Sequence, residues 1–167
     1  MARKTNVSAA SYVEYGYGQI EPNHLSAQRT AQIYAQLPMD VEQLENGQFV
    51  KYDYAEGKVN FSGAGEWMLV FNEVKLYGDR EQYEDFVFTA DMGGVPRVFK
   101  TNVGDIFTTN MVEVEDADDL EAGVLLTPNA TGVLEITADA GTGMAWEVAK
   151  VYTLADGQRA VKIMRIQ

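Results

Sequence analysis

The chain has 167 residues, of which 46% are hydrophobic and 23% are charged, a composition typical of a folded soluble protein. It contains no cysteine, which excludes disulfides and thiolate metal sites, and its formal net charge of −12 argues against nucleic-acid binding by phosphate neutralisation. No apolar run approaches the about 20 residues of a membrane-spanning helix, and the N-terminus does not read as a signal peptide. We therefore expect neither a nucleic-acid nor a membrane partner.

Residues 1–25 are predicted to form an extended N-terminal arm. Tyrosines alternate here with glycine and other small residues, and little in the stretch could build a core. Burial of three tyrosines contributes at most roughly 10–20 kcal/mol, whereas ordering the backbone costs about 1–2 kcal/mol for each residue. Aromatic burial alone therefore cannot order the arm. It needs backbone pairing to a sheet edge, its own or a neighbour's, or it stays mobile until it binds.

The arm also supplies the candidate partner-binding residues. Tyrosine side chains offer large amphipathic contact areas, and a basic pair near the N-terminus offers charge contacts. The five candidates are Arg3, Lys4, Tyr12, Tyr15 and Tyr17. The alternative is that the arm folds onto its own domain or is disordered.

Residues 26–37 fit two patterns. Ser26 could cap a short helix that runs through Gln36, with alanine and tyrosine on one face. The stretch from Ala31 to Leu37 also alternates apolar and polar residues in the manner of a strand. We favour a strand preceded by a turn.

From residue 44 onward the chain is dominated by β-strand signals. The predicted strands are rich in valine and aromatic residues and are separated by glycine-marked turns; they cover residues 49–54 and 67–77, two strands within 95–109, and a hairpin of 144–154 with 159–166. Asp156-Gly157 marks the turn of that hairpin, and Asn46-Gly47 marks another turn. The fold class predicted from this pattern is mainly β, a small barrel or sandwich.

Two stretches of the chain resemble each other. Leu44–Val50 reappears in weaker form as Leu120–Leu126, and each stretch is followed by a glycine-marked turn and then by a strand-like run that holds a tryptophan. This pattern predicts one small β unit used twice. We therefore expect a first β unit over residues 26–111 and a second over residues 112–167, which together can also form one compact domain.

The search for catalytic and metal-binding residues finds no convincing site. His24 is the single histidine, which excludes zinc and copper sites of the usual kind, and no nucleophile elbow or phosphate-binding loop is present. The acidic run Glu113–Glu121 lacks the layout of an EF-hand loop and is interpreted as a solvated loop. We expect a protein that is not an enzyme and has no cofactor.

The assembled pattern resembles the small head decoration proteins, also called cement or auxiliary capsid proteins, of tailed bacteriophages that infect gut and other Gram-positive bacteria. The matching stretches are spread over most of the chain and contain no catalytic signature; they are residues 21–28, 44–50, 70–77, 95–100 and 103–110, with the C-terminal hairpin.

The resemblance implies a structural virion protein on the exterior of the capsid, made in the bacterial host cytoplasm. Its partner would be the major capsid protein, and a homo-oligomer, with a trimer favoured, would be expected. One alternative is another phage component, such as a head fibre base, a neck protein or a tail tube subunit. A further alternative is a carbohydrate-binding module that uses Trp67, Trp146 or exposed tyrosines as a platform for sugar rings.

Overall fold

A computed structural model describes residues 12–14, 18–72, 88–89 and 94–167 of the chain. The described chain is mainly β, as the sequence predicts. Its strands are β1 (Ile20–His24), β2 (Ile33–Tyr34), β3 (Gln43–Leu44), β4 (Phe49–Asp53), β5 (Lys58–Asn60), β6 (Met68–Val70), β7 (Phe88–Thr89), β8 (Val98–Phe99), β9 (Ile106–Thr109), β10 (Val112–Glu113), β11 (Leu125–Pro128), β12 (Leu134–Thr137), β13 (Trp146–Thr153) and β14 (Arg159–Arg165). A short helix, α1 (Ala27–Thr30), and a 3-10 helix (Ala117–Asp119) complete these elements.

Most strands belong to two sheets that pack against each other. The larger sheet has the order β1-β9-β14-β13-β11-β12-β10, and the smaller has the order β2-β8-β6-β4-β5. The strands β3 and β7 form a separate pair. Strands from both sides of the predicted boundary at residue 111 therefore share the larger sheet, because β1 and β9 pair into the C-terminal half.

The main core lies between the two sheets. Three aromatic rings form its centre: Phe49 from the smaller sheet contacts Phe107 and Trp146 from the larger one, with ring centroids 6.4 and 5.7 Å apart. Phe107 and Trp146 meet edge to face at 5.0 Å, a geometry that aromatic pairs favour. A second cluster, which includes Val50 and Val98, covers the other face of the smaller sheet. The smaller sheet is thus buried on both faces.

The two resembling stretches fold in the same way. Each opens with a turn that a backbone hydrogen bond closes, from Gln48 to Glu45 and from Val124 to Glu121, both at 3.2 Å. Each turn leads into a strand that pairs with the next two strands on its two sides, giving the orders β5-β4-β6 and β12-β11-β13. All four of these strand pairings are antiparallel. The weak sequence repeat therefore marks a repeated strand arrangement.

The repeat differs in register, and this difference separates the two tryptophans. In the second unit Trp146 pairs directly with Leu126, whereas in the first unit Met68, the residue after Trp67, pairs with Val50. A shift of one residue moves a side chain to the opposite face of a sheet. Trp146 therefore shares a face with Leu126 and is fully buried in the main core. Trp67 precedes β6 and packs half-buried against the same core, with the Lys51 ammonium 4.5 Å from its ring centroid.

Local elements follow their sequence signals closely. The C-terminal hairpin is confirmed, and its turn is closed by hydrogen bonds between Leu154 and the residues Gly157 and Gln158. Both patterns that residues 26–34 fit are present, one after the other. The helix α1 is capped at its C-terminus by Ala31 in a left-handed conformation (φ 56°), and the strand β2 follows. The preferred order, a turn followed by a strand, is therefore found, but the turn is a short helix and the strand covers only Ile33–Tyr34.

Candidate partner-binding surface

The structure describes one of the five candidate arm residues. Arg3, Lys4, Tyr15 and Tyr17 lie outside the described residues, so their role stays a prediction. Tyr12 is only 3% exposed and belongs to the main core, and its backbone N–H donates to the carbonyl of Val112 at 3.0 Å. Here the arm folds onto its own domain, which is the alternative left open above, and the Tyr12 ring does not face a partner.

Buried polar side chains hold the rest of the described arm. The backbone N–H groups of Glu14, Gly18 and Gln19 donate to side-chain oxygens that come from distant parts of the chain. The acceptors are Gln158 Oε1 at 3.0 Å, Glu45 Oε2 at 2.7 Å and Asn110 Oδ1 at 2.7 Å, and each of these residues is at most 1% exposed. Satisfied buried groups of this kind fix the backbone that they bind. Residues 12–14 and 18–24 are therefore part of the folded body.

Tyr12 also sits in a charged environment. Burial raises the pKa of its hydroxyl, and Arg159, which forms a hydrogen bond with it, acts in the opposite direction. The Arg159 guanidinium lies 3.6 Å from the Asp118 carboxylate in the acidic 3-10 helix. The densest acidic run of the sequence is thus a capped turn at the surface, with Asp116 as the cap, beside the described arm.

The face of the larger sheet that points away from the main core offers a continuous row of partly exposed residues. Met164 pairs with Ile106 on one side and with Glu147 on the other, and Glu147 pairs with Leu125. Met164 is 36% exposed and the other three are half-buried. Apolar positions at this level of exposure, interrupted by a charge, are typical of contact surfaces.

Two lysines flank this row in an unfavourable arrangement. Lys150 and Lys162 are directly opposite each other on β13 and β14, and a bulge after Val148 brings Lys150 onto the same face as Glu147. Neither ammonium forms an ion pair among the residues that the structure describes. Like charges directly opposite each other destabilise a strand pair. We call the surface formed by Ile106, Leu125, Glu147, Lys150, Lys162 and Met164 the outer face.

The sequence analysis did not select the outer face. Its signal is the alternation of Lys162 and Met164 with buried Val161 and Ile163 along β14. That alternation shows which residues share a face, but the bulge that aligns Lys150 has no sequence mark.

Catalytic and metal-binding arrangements are not found in the described part of the chain. His24 is exposed at the end of an edge strand, and within residues 12–14, 18–72, 88–89 and 94–167 no three potential ligands cluster to hold a metal ion. The described helices are too short to cross a membrane. Compared with known proteins, the chain matches no family model, no curated protein and no solved structure.

Proposed function

We propose that this protein decorates and stabilises the head of a tailed bacteriophage by binding the major capsid protein. The partner is proposed from the sequence resemblance. The proposed binding role is supported by the outer face. Its half-buried apolar row can pack against a partner, and an acidic group of that partner would relieve the repulsion between Lys150 and Lys162. The protein acts as a structural component of the virion exterior rather than as an enzyme.

In this proposal the remainder of the arm adds a second contact. Residues 1–11 precede the segment anchored at Tyr12, so Arg3 and Lys4 reach the partner from a fixed point of the body. Tyr15 and Tyr17 remain the aromatic candidates of the arm. A homo-oligomer, with a trimer favoured, would join several modest contacts and raise the overall affinity through effective concentration.

Charge reversal on the outer face tests the binding role. We expect the double substitution Lys150→Glu and Lys162→Glu to weaken binding to undecorated heads by at least about tenfold, because it replaces attraction to acidic partner groups with repulsion. Co-sedimentation of the purified protein with heads, over a series of protein concentrations, measures this affinity.

The matched control is Arg29→Glu with Lys58→Glu, which makes the same change in net charge outside the outer face. Arg29 is exposed on α1. Lys58 lies on β5 and forms an ion pair with Asp40, and both of these side chains are about half-exposed. Equal loss of binding in both double variants would contradict a specific role for the outer face and would indicate a net-charge effect.

A further inference from the structure

An open groove lies on the smaller sheet, away from the outer face. Its volume is about 870 Å³, which is within the range of clefts that bind small molecules. Three tyrosines and a pair of opposite charges line it, namely Tyr34, Tyr52, Tyr54, Glu66 and Lys100. Nothing in the capsid-binding proposal uses these residues.

The tyrosines form adjoining walls at steep angles. Tyr52 contacts Tyr34 and Tyr54 with ring centroids 5.8 and 5.5 Å apart and interplanar angles of 71° and 90°. Tyr54 is 71% exposed, the largest exposure among the large hydrophobic residues that the structure describes. An aromatic ring that stays exposed to water does not contribute the favourable free energy of burial to folding. An exposed ring on a concave surface is therefore a natural platform for a flat ligand.

Polar groups stand beside this platform. The Lys100 ammonium lies 2.9 Å from the Glu66 carboxylate, and both side chains are 42% exposed. The hydrogen bond with Glu66 raises the pKa of Lys100, so the Lys100 ammonium stays charged at neutral pH. A carboxylate that accepts hydrogen bonds and an ammonium that donates them can together bind the adjacent hydroxyl groups of a sugar ring.

Tyr52 is the buried residue that supports the other two tyrosine rings of the groove. Its side chain is 97% buried, as its exposure is 3%, and its hydroxyl makes no hydrogen bond of acceptable geometry within the described chain. Burial raises the pKa of this hydroxyl to about 12, and the backbone of Gln36 acts in the opposite direction with a smaller effect. A buried hydroxyl without a partner is destabilising, and such groups are rare in native proteins unless a ligand or water satisfies them.

We propose that this groove binds a neutral carbohydrate, with a pyranose ring stacked on Tyr54 and its hydroxyl groups bound by Glu66 and Lys100. The site is separate from the outer face, so a protein attached to a capsid through the outer face could still present the groove to a glycan. The proposal does not depend on the capsid-binding role.

The test uses the purified full-length protein and four neutral trisaccharides: chitotriose, cellotriose, maltotriose and mannotriose. Saturation-transfer difference NMR detects binding, and titration gives the dissociation constant. We expect at least one trisaccharide to bind in the millimolar range or tighter. Tyr54→Ala is expected to weaken it at least tenfold, and Tyr54→Phe, which keeps the ring, is expected to retain most of the affinity.

Tyr52→Phe separates a binding role from a structural one. We expect this variant to keep or raise the thermal stability, because an unsatisfied buried hydroxyl is removed, and to leave sugar binding unchanged, because the hydroxyl does not reach the groove surface. Failure of all four trisaccharides to bind below about 10 mM, or unchanged binding in Tyr54→Ala, would overturn the proposal. Equal displacement of the sugar by a proline-rich peptide would also overturn it, since that result would assign the groove to a polypeptide.

Discussion

Trp146→Ala is expected to lower the free energy of unfolding by about 3–5 kcal/mol. Trp146 is fully buried and contacts Phe49 and Phe107, the two other rings at the centre of the main core. Its indole N–H has no hydrogen-bond partner within the described chain, so the contribution of the side chain comes from packing. Urea denaturation followed by far-ultraviolet circular dichroism measures the change.

Trp67→Ala is the matched control, because Trp67 is the tryptophan of the first β unit and lies one residue before the position that corresponds to Trp146. This ring is half-buried at the rim of the core, where it contacts Lys51. We expect a loss below about 2 kcal/mol, the range of partly exposed sites. Similar losses at both tryptophans would contradict the register difference between the two units.

Gly132→Ala is expected to be comparably destabilising, by about 3–5 kcal/mol. Gly132 has a φ of +73°, a conformation that is costly for a residue with a side chain, and a Cβ at this position would overlap the backbone carbonyl of Phe49. The Gly132 carbonyl also accepts a hydrogen bond from the Phe49 N–H at 2.6 Å. The turn between β11 and β12 of the second unit is therefore hydrogen-bonded directly to β4 of the first unit.

Gly57→Ala separates the effect of backbone conformation from that of the clash. Gly57 is in the equivalent turn of the first unit with a φ of +67°, but a Cβ there would meet no atom within 4 Å. We expect a loss of only about 1 kcal/mol from the left-handed conformation. A Gly132→Ala variant as stable as Gly57→Ala would show that the two units do not meet at this turn.

Local signals in the sequence were sufficient to predict much of the fold. The Asp156-Gly157 turn located the C-terminal hairpin, because few residue pairs suit a tight β-turn. The repeated Leu-Glu-x-Gly stretch located two turns with the same hydrogen bond and the same strand order. These features depend on residues that are close together in the chain, and a single sequence records such constraints directly.

Long-range pairing could not be predicted in the same way. The pairing of β1 with β9 joins residues more than 80 positions apart, and the burial of Tyr12 depends on a contact with Val112. The buried acceptors Glu45, Asn110 and Gln158 resemble ordinary surface residues in the sequence. Their role became visible only when the structure brought them to the backbone of the arm.

The outer face and the groove could not be predicted from the sequence for the same reason. The arm tyrosines were conspicuous by composition, whereas Lys150 and Lys162 become neighbours only through a hairpin register that includes a bulge. The tyrosines of the groove likewise come from β2, from β4 and from the turn after β4, and β2 and β4 are not adjacent in the smaller sheet. Functional surfaces assembled from several strands need the register of the whole sheet before they can be recognised.

Electron cryomicroscopy of tailed-bacteriophage heads, prepared with and without the protein, tests the proposed capsid decoration most directly. Capsid decoration requires additional density on the exterior of the shell in the presence of the protein, fitted by the two-sheet body with its outer face toward the capsid. Identical maps with and without a saturating concentration of the protein would contradict the claim.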